Sequence, residues 1–206
     1  MADSAFEIDI SDRQSALVFD GNSLRDAVLR ALALEHVASA VLSISIVDNA
    51  AIHVINRDHL QHDFPTDVIS FQLDFISADQ RRSDDNVEND AEDEDEDFPD
   101  DSGDAVDGDV DDAGSREVLS EGRAAGATIE GEIIASAEMA ASMAGDAKWS
   151  ADAELILYVV HGLLHICGYD DLTPEEKCIM RARERAILSE LGLTAIYAED
   201  AEEDRH

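Results

Sequence analysis

Hydrophobic and polar side chains alternate with a period of two in four stretches: Phe6–Ile10, Val41–Val47, Val68–Phe75 and Ile129–Ile134. That period predicts four strands, each with a buried face. Between them the spacing becomes helical. Leu24, Val28, Leu29, Ala31, Leu32 and Leu34 mark an amphipathic helix to about Leu34, after a turn Asp20-Gly21-Asn22-Ser23 that ends in its cap. Ala51, Ile52 and Ile55 mark a second, capped by Asp48 or Asn49, and small residues over Ser136–Ala144 a third. Thr173-Pro174-Glu175-Glu176 reads as a helix start, with a cap, a proline in the first turn and acids behind it. That helix runs to about Leu191 before Gly192, with Ile179, Met180, Ala186, Ile187 and Leu191 toward the core. One segment differs from all of these. Leu155, Ile156, Leu157, Val159, Val160, Leu163, Leu164 and Ile166 make it apolar nearly all round, so it is the central buried helix, with Ser150 as its cap. The pattern predicts a single α+β domain of about four strands in a mixed sheet and about five helices.

Charge changes the picture in one region. The net charge of −35 includes −16 between Ser77 and Thr128, where 20 Asp and Glu face 4 Lys and Arg. Too few apolar side chains occur there to offset the entropy of ordering it, so 77–128 reads as a disordered acidic loop. It is inserted within a domain formed by 1–76 and 129–197, because neither flank completes a fold alone. A solvated surface loop is the favoured reading, ahead of a partner site or an autoinhibitory RNA mimic. A second acidic stretch, 198–206, is a frayed tail. The rest of the chain is also acidic, which argues against a strong non-specific grip on nucleic acid through counterion release. No window is long and apolar enough for a membrane span, and Met1–Ile10 has neither the basic start nor the apolar run of a secretion signal. Cys167 and Cys178 are expected as reduced thiols used in packing, in a cytoplasmic protein.

The central helix carries the chemistry. His161 and His165 are four residues apart and lie one above the other on the same face. Gly168 lets the chain leave the helix, and Asp170 and Asp171 follow, so a carboxylate can return beside the two imidazoles. Two nitrogens and an oxygen around an open fourth position are the plan of a catalytic zinc site. Glu154, on the same stripe, is either an orienter of a ligand histidine or the acidic first turn of the helix, and the second reading is preferred.

His161-Gly162-Leu163-Leu164-His165 followed by Gly168-Tyr169-Asp170 resembles the YbeY family of bacterial metal-dependent endoribonucleases, which act in ribosomal RNA maturation and ribosome quality control. Asn56-Arg57-Asp58 with Pro65-Thr66-Asp67-Val68-Ile69-Ser70-Phe71 is similar to that family's segment around its third strand, and Gly131-Glu132-Ile133 to its next one. Without the insertion, 154 residues remain, about the family's usual size. The resemblance implies one Zn2+ per chain, or another divalent ion, held by His161, His165 and the residue at 171. It implies single-stranded RNA, ribosomal RNA in particular, as substrate, and the ribosome or ribosome-associated proteins as partners. His161, His165, Arg57 and Ser70 become the catalytic candidates, Arg57 for transition-state charge and Ser70 for phosphate. Arg57, Thr66, Asp67 and Ser70 become the substrate-binding candidates. Two positions depart from the family. Asp171 stands where its third histidine is expected, and a carboxylate makes the metal a weaker Lewis acid. Leu60 stands where it has a functional arginine. No obvious general base is present. A metallopeptidase would need Glu directly after the first histidine, where this chain has Gly162. A non-catalytic, metal-binding ribosome-assembly factor is the alternative.

Overall fold

The computed structural model describes residues 5–80, 122–147, 149–195 and 197. Four strands, β1 (Phe6–Asp12), β2 (Ser39–Val47), β3 (Val68–Ile76) and β4 (Thr128–Ser136), form one mixed sheet in the order β1-β2-β4-β3. β1 and β4 run parallel to β2, whereas β3 pairs antiparallel with β4 and forms an edge. Five long helices accompany them among the described residues: α1 (Gly21–Leu34), α2 (Asn49–Leu60), α3 (Ala137–Ala147), α4 (Ala151–Ile166) and α5 (Pro174–Glu190).

The alternation seen in the sequence is realised in β2. Leu42, Ile44 and Ile46 are buried beneath the helices, while Val41 on the other face is 47% exposed. α1 contributes Leu24, Ala27, Val28, Ala31 and Leu32 to the same core. α4 packs on β3 and β4, and Leu163 and Leu164 are completely buried. Burying each such Leu or Ile stabilises the fold by about 1.5–3 kcal/mol relative to exposure. A smaller cluster, Val47, Ile52, Ile69 and Ile134, seals the opposite face under α2.

The caps fix where the helices start. Ser150, Asp48 and Thr173 each accept a bond from the first turn of α4, α2 and α5, as anticipated. α1 begins earlier than expected. Asp20 is its cap, accepting from the Asn22 N–H at 3.0 Å and from the Ser23 hydroxyl at 2.8 Å, so the Asp20–Ser23 turn is already helical. On α5 the inward stripe is Met180, Arg183, Glu184, Ile187 and Leu188, while Ala186 is exposed. Most of the acidic insertion (81–121) lies outside the described residues, but its C-terminal end is part of the fold. Ala124 and Ala127 are fully buried, and Arg123 donates to the Gly168 carbonyl at 3.1 Å and to Glu176 at 2.7 Å. Among the described residues no helix is long and apolar enough to cross a membrane.

Candidate metal centre

On α4, most of which is buried, His161 and His165 keep 27% and 30% of their side chains exposed. Their Nε2 atoms face each other at 3.1 Å. Each Nδ1 is engaged on the other side, His161 with Glu184 Oε1 at 2.7 Å and His165 with the Tyr169 carbonyl at 3.0 Å. A carboxylate and a carbonyl accept hydrogen bonds, which assigns the hydrogen to Nδ1 in both rings and a lone pair to each Nε2. Two lone pairs face to face repel unless a proton or a metal cation lies between them. Two such nitrogens on a tetrahedral zinc, at bond lengths of 2.0–2.1 Å, stand about 3.3 Å apart, within a few tenths of an ångström of the observed separation.

The third candidate donor is Asp171. Its carboxylate oxygens lie 3.9 Å from His161 Nε2 and 4.0 Å from His165 Nε2, and one donor atom from each of the three residues fits within a span of 4.8 Å. The turn that delivers it is specific. Gly168 adopts φ +90°, in the left-handed region, and a hydrogen bond from Tyr169 N to the Leu164 carbonyl closes α4 in a Schellman turn. Asp170 does not join the donors. Its side chain accepts from the N–H groups of Asp171 and Leu172 and shapes the loop.

Electrostatics agree with this design. Burial alone would lower the pKa of His161. The hydrogen bond and charge of Glu184, with Asp171 and Asp67 adding, outweigh that effect and raise it above the ordinary histidine value. Glu184 itself is 3% exposed, and its second oxygen accepts from the Tyr197 hydroxyl. Tyr169 is secured in turn: its hydroxyl donates to the buried Glu35 at 2.8 Å, and Arg183 pairs with Glu35 at 2.7 Å.

Glu184, Glu35 and Arg183 were absent from the sequence reading, although Arg183 and Glu184 fall between the apolar positions Met180 and Ile187 of one helix. Glu154 bonds the Trp149 indole and neither histidine, in keeping with a first-turn acid. Cys167 is buried, which raises its thiol pKa and suits packing; Cys178 is exposed and does not pack as expected.

A groove of about 440 Å³ opens beside His161 and Asp171, and Thr66 and Asp67 line it. Asp67 accepts from the Thr66 hydroxyl and from Val68 N–H, each at 2.8 Å. Ser70 sits under α4 at its crossing with the sheet, close to Gly162. A Cβ on Gly162 would lie 3.1 Å from Ile133 and 3.2 Å from Val68, closer than ordinary contact, so the position packs tightly as glycine. Arg57 is elsewhere. It is half-exposed on the last turn of α2, paired with Asp58 at 2.8 Å, and outside the groove lining. Leu60, on the same turn, is 44% exposed.

Comparison with known proteins identifies the family. Residues 9–192 match the family model described as Endoribonuclease YbeY. Curated proteins of that name are similar over most of their length. One from Rhodopirellula baltica is 30% identical over 97% of this chain and 79% of its own. One from Fusobacterium nucleatum is 33% identical over 86% and 85%, and one from a Geobacillus strain 32% identical over 91% and 97%. With a match across nearly the whole described fold and a His/His/Asp centre where the helix turns, the chain belongs to the Endoribonuclease YbeY family.

Proposed function

We propose that this chain hydrolyses single-stranded RNA in ribosomal RNA maturation and ribosome quality control, with one Zn2+ held by His161, His165 and Asp171. Endoribonuclease activity, and hence an RNA substrate and phosphodiester hydrolysis, comes with the family. The observation that carries the metal assignment is the pair of Nε2 atoms converging at 3.1 Å while both Nδ1 atoms are held by acceptors. A divalent metal there supplies Lewis acidity toward phosphate and eases deprotonation of water. The protein's own groups do the positioning. Glu184 and the Tyr169 carbonyl hold the two Nδ1 protons, so both imidazoles keep one tautomer and one orientation. Thr66 and Asp67, just before β3, line the groove, and Ser70, on β3 beside Gly162 and outside that lining, is the candidate phosphate donor that the family resemblance implies. In the reaction a P–O bond to the water oxygen forms, the P–O ester bond to the departing ribose oxygen breaks, and that oxygen takes up the proton the water gives.

The chain's acidity favours delivery of the RNA by the ribosome or a ribosome-associated protein over free capture. The test is metal content by elemental analysis, with cleavage of a single-stranded oligoribonucleotide, on wild type and Asp171→Ala. The expected wild type carries close to one zinc per chain and cuts. The variant loses metal and cutting together. A wild type that holds metal and cuts nothing would leave the assembly-factor reading in its place.

A further inference from the structure

The groove beside the metal centre has walls of different chemistry, and the donor set uses neither. Lys177, Arg181 and Glu184 are spaced i, i+4, i+7 on α5 and so form one stripe. Glu184 reaches His161, which fixes where the stripe faces, and Lys177 and Arg181 line the same groove as His161 and Asp171. Among the described lining residues they are the only Lys or Arg, against four carboxylates. In a chain with 14 Lys and Arg and a net charge of −35, two cations on one wall beside a metal centre are a strong local departure from the rest of the surface. Arg181 is also preset: its guanidinium carbon lies 4.6 Å over the Tyr197 ring, which orients its planar fork.

Apolar side chains come from α3, another helix that packs on α4. Met139 and Met143, one turn apart on α3, line the groove with Leu157, and Met143 is 43% exposed. Methionine adapts to flat aromatic surfaces of different shape. A groove with cations on one side and pliable apolar side chains on the other matches the cross-section of an unpaired nucleotide, with phosphate on one side and base on the other. A duplex keeps its bases stacked inside and could reach only the cations.

We infer that Lys177 and Arg181 grip an RNA phosphate next to the metal centre while Met139, Met143 and Leu157 take the adjoining base, so that this groove selects single strands. The inference rests on the nuclease reading and adds the residues that hold the substrate.

The experiment measures binding of a short single-stranded oligoribonucleotide against salt concentration, with metal content and cleavage on the same samples. It uses wild type, Lys177→Gln, Arg181→Gln, the double variant, Arg181→Lys, Met143→Asn and, as control, Arg25→Gln on α1. Each lost phosphate contact should lower the salt slope by about 0.7, and the double variant should bind about tenfold more weakly, with metal retained. Arg181→Lys should keep the slope. Met143→Asn should weaken binding with the slope unchanged, and Arg25→Gln should match wild type. Lys177→Gln and Arg181→Gln variants with the wild-type slope and affinity would overturn the inference. Loss of metal in Arg181→Gln would make Arg181 a structural support of Tyr197 and Glu184, and a wild-type slope in Lys177→Gln would then remove the remaining cation. A wild type that neither binds nor cuts the oligonucleotide fails at the nuclease reading itself, a result distinct from altered binding in the variants alone.

Discussion

His161 and His165 stand one turn apart on α4 and are braced by opposite means. His161 leans on a buried side chain, Glu184, which reaches it from α5. His165 leans on a main-chain carbonyl, that of Tyr169, which the Schellman turn at the end of its own helix carries into place. A carboxylate raises the basicity of the ring it holds, whereas a carbonyl orients without adding charge. The second brace is held from further away, because the Tyr169 hydroxyl ends on the buried Glu35–Arg183 pair. Adjacent residues of α5 therefore serve the two histidines differently: Glu184 by direct contact, and Arg183 through Glu35 and Tyr169. Damage to the first brace should register at the metal, and damage to the second mainly in the fold.

The largest effect separating them is expected from Arg183→Ala. Arg183 and Glu35 have side-chain exposures of 5% and 0%, and Arg183 also donates to the Leu34 carbonyl at 3.0 Å. Removing the guanidinium leaves an uncompensated buried carboxylate, a loss of about 3–5 kcal/mol of stability. Urea unfolding of the metal-free protein would measure it. A loss below about 1 kcal/mol would mean that Glu35 is satisfied in some other way. Glu184→Gln comes next and should reverse the pattern. The amide can still accept from His161 Nδ1 but brings no charge, so metal affinity should fall about 10–100-fold while the unfolding midpoint moves little. Competition with a chelator reads the affinity. An unchanged value would make Glu184 a structural acid rather than an orienter.

These differences also explain what could be read in the chain beforehand. His161, His165 and Asp171 were legible because local geometry links them: one helical turn, then a glycine-closed loop. The strands and the central helix were legible because their periods are local as well. Glu184 is 23 residues beyond His161, and Glu35 is 134 residues before Tyr169, so no local spacing ties them to the site. The signal available was positional: of the four charges between Met180 and Ile187, Arg183 and Glu184 fall on the stripe that this helix is expected to bury. Ser23 carries the local signature of a cap, whereas Asp20 bonds both Asn22 and Ser23 and starts α1 at Gly21. Acidic composition hid the end of the insertion, where small side chains such as Ala124 and Ala127 fill the core without any apolar run to reveal them. Arg57 carried the expected charge, but in the fold its side chain turns to Asp58.

The smallest expected effect is the sharpest test of the comparison, because Tyr169 belongs to both the site and its support. Tyr169→Phe keeps the carbonyl that holds His165 and removes only the hydroxyl that donates to Glu35. Burial, first, and the neighbouring Glu35 push that phenol's pKa up to about 12, so at neutral pH it is a donor and the lost interaction is a hydrogen bond to a carboxylate. Arg183 still pairs with the other Glu35 oxygen, so the carboxylate is not left bare. Stability should fall by about 1–2 kcal/mol in urea unfolding, with metal content and cleavage unchanged. If metal were lost instead, the carbonyl alone would be too loosely held to orient His165, and the buried Glu35–Arg183 pair would belong to the metal centre as much as Glu184 does.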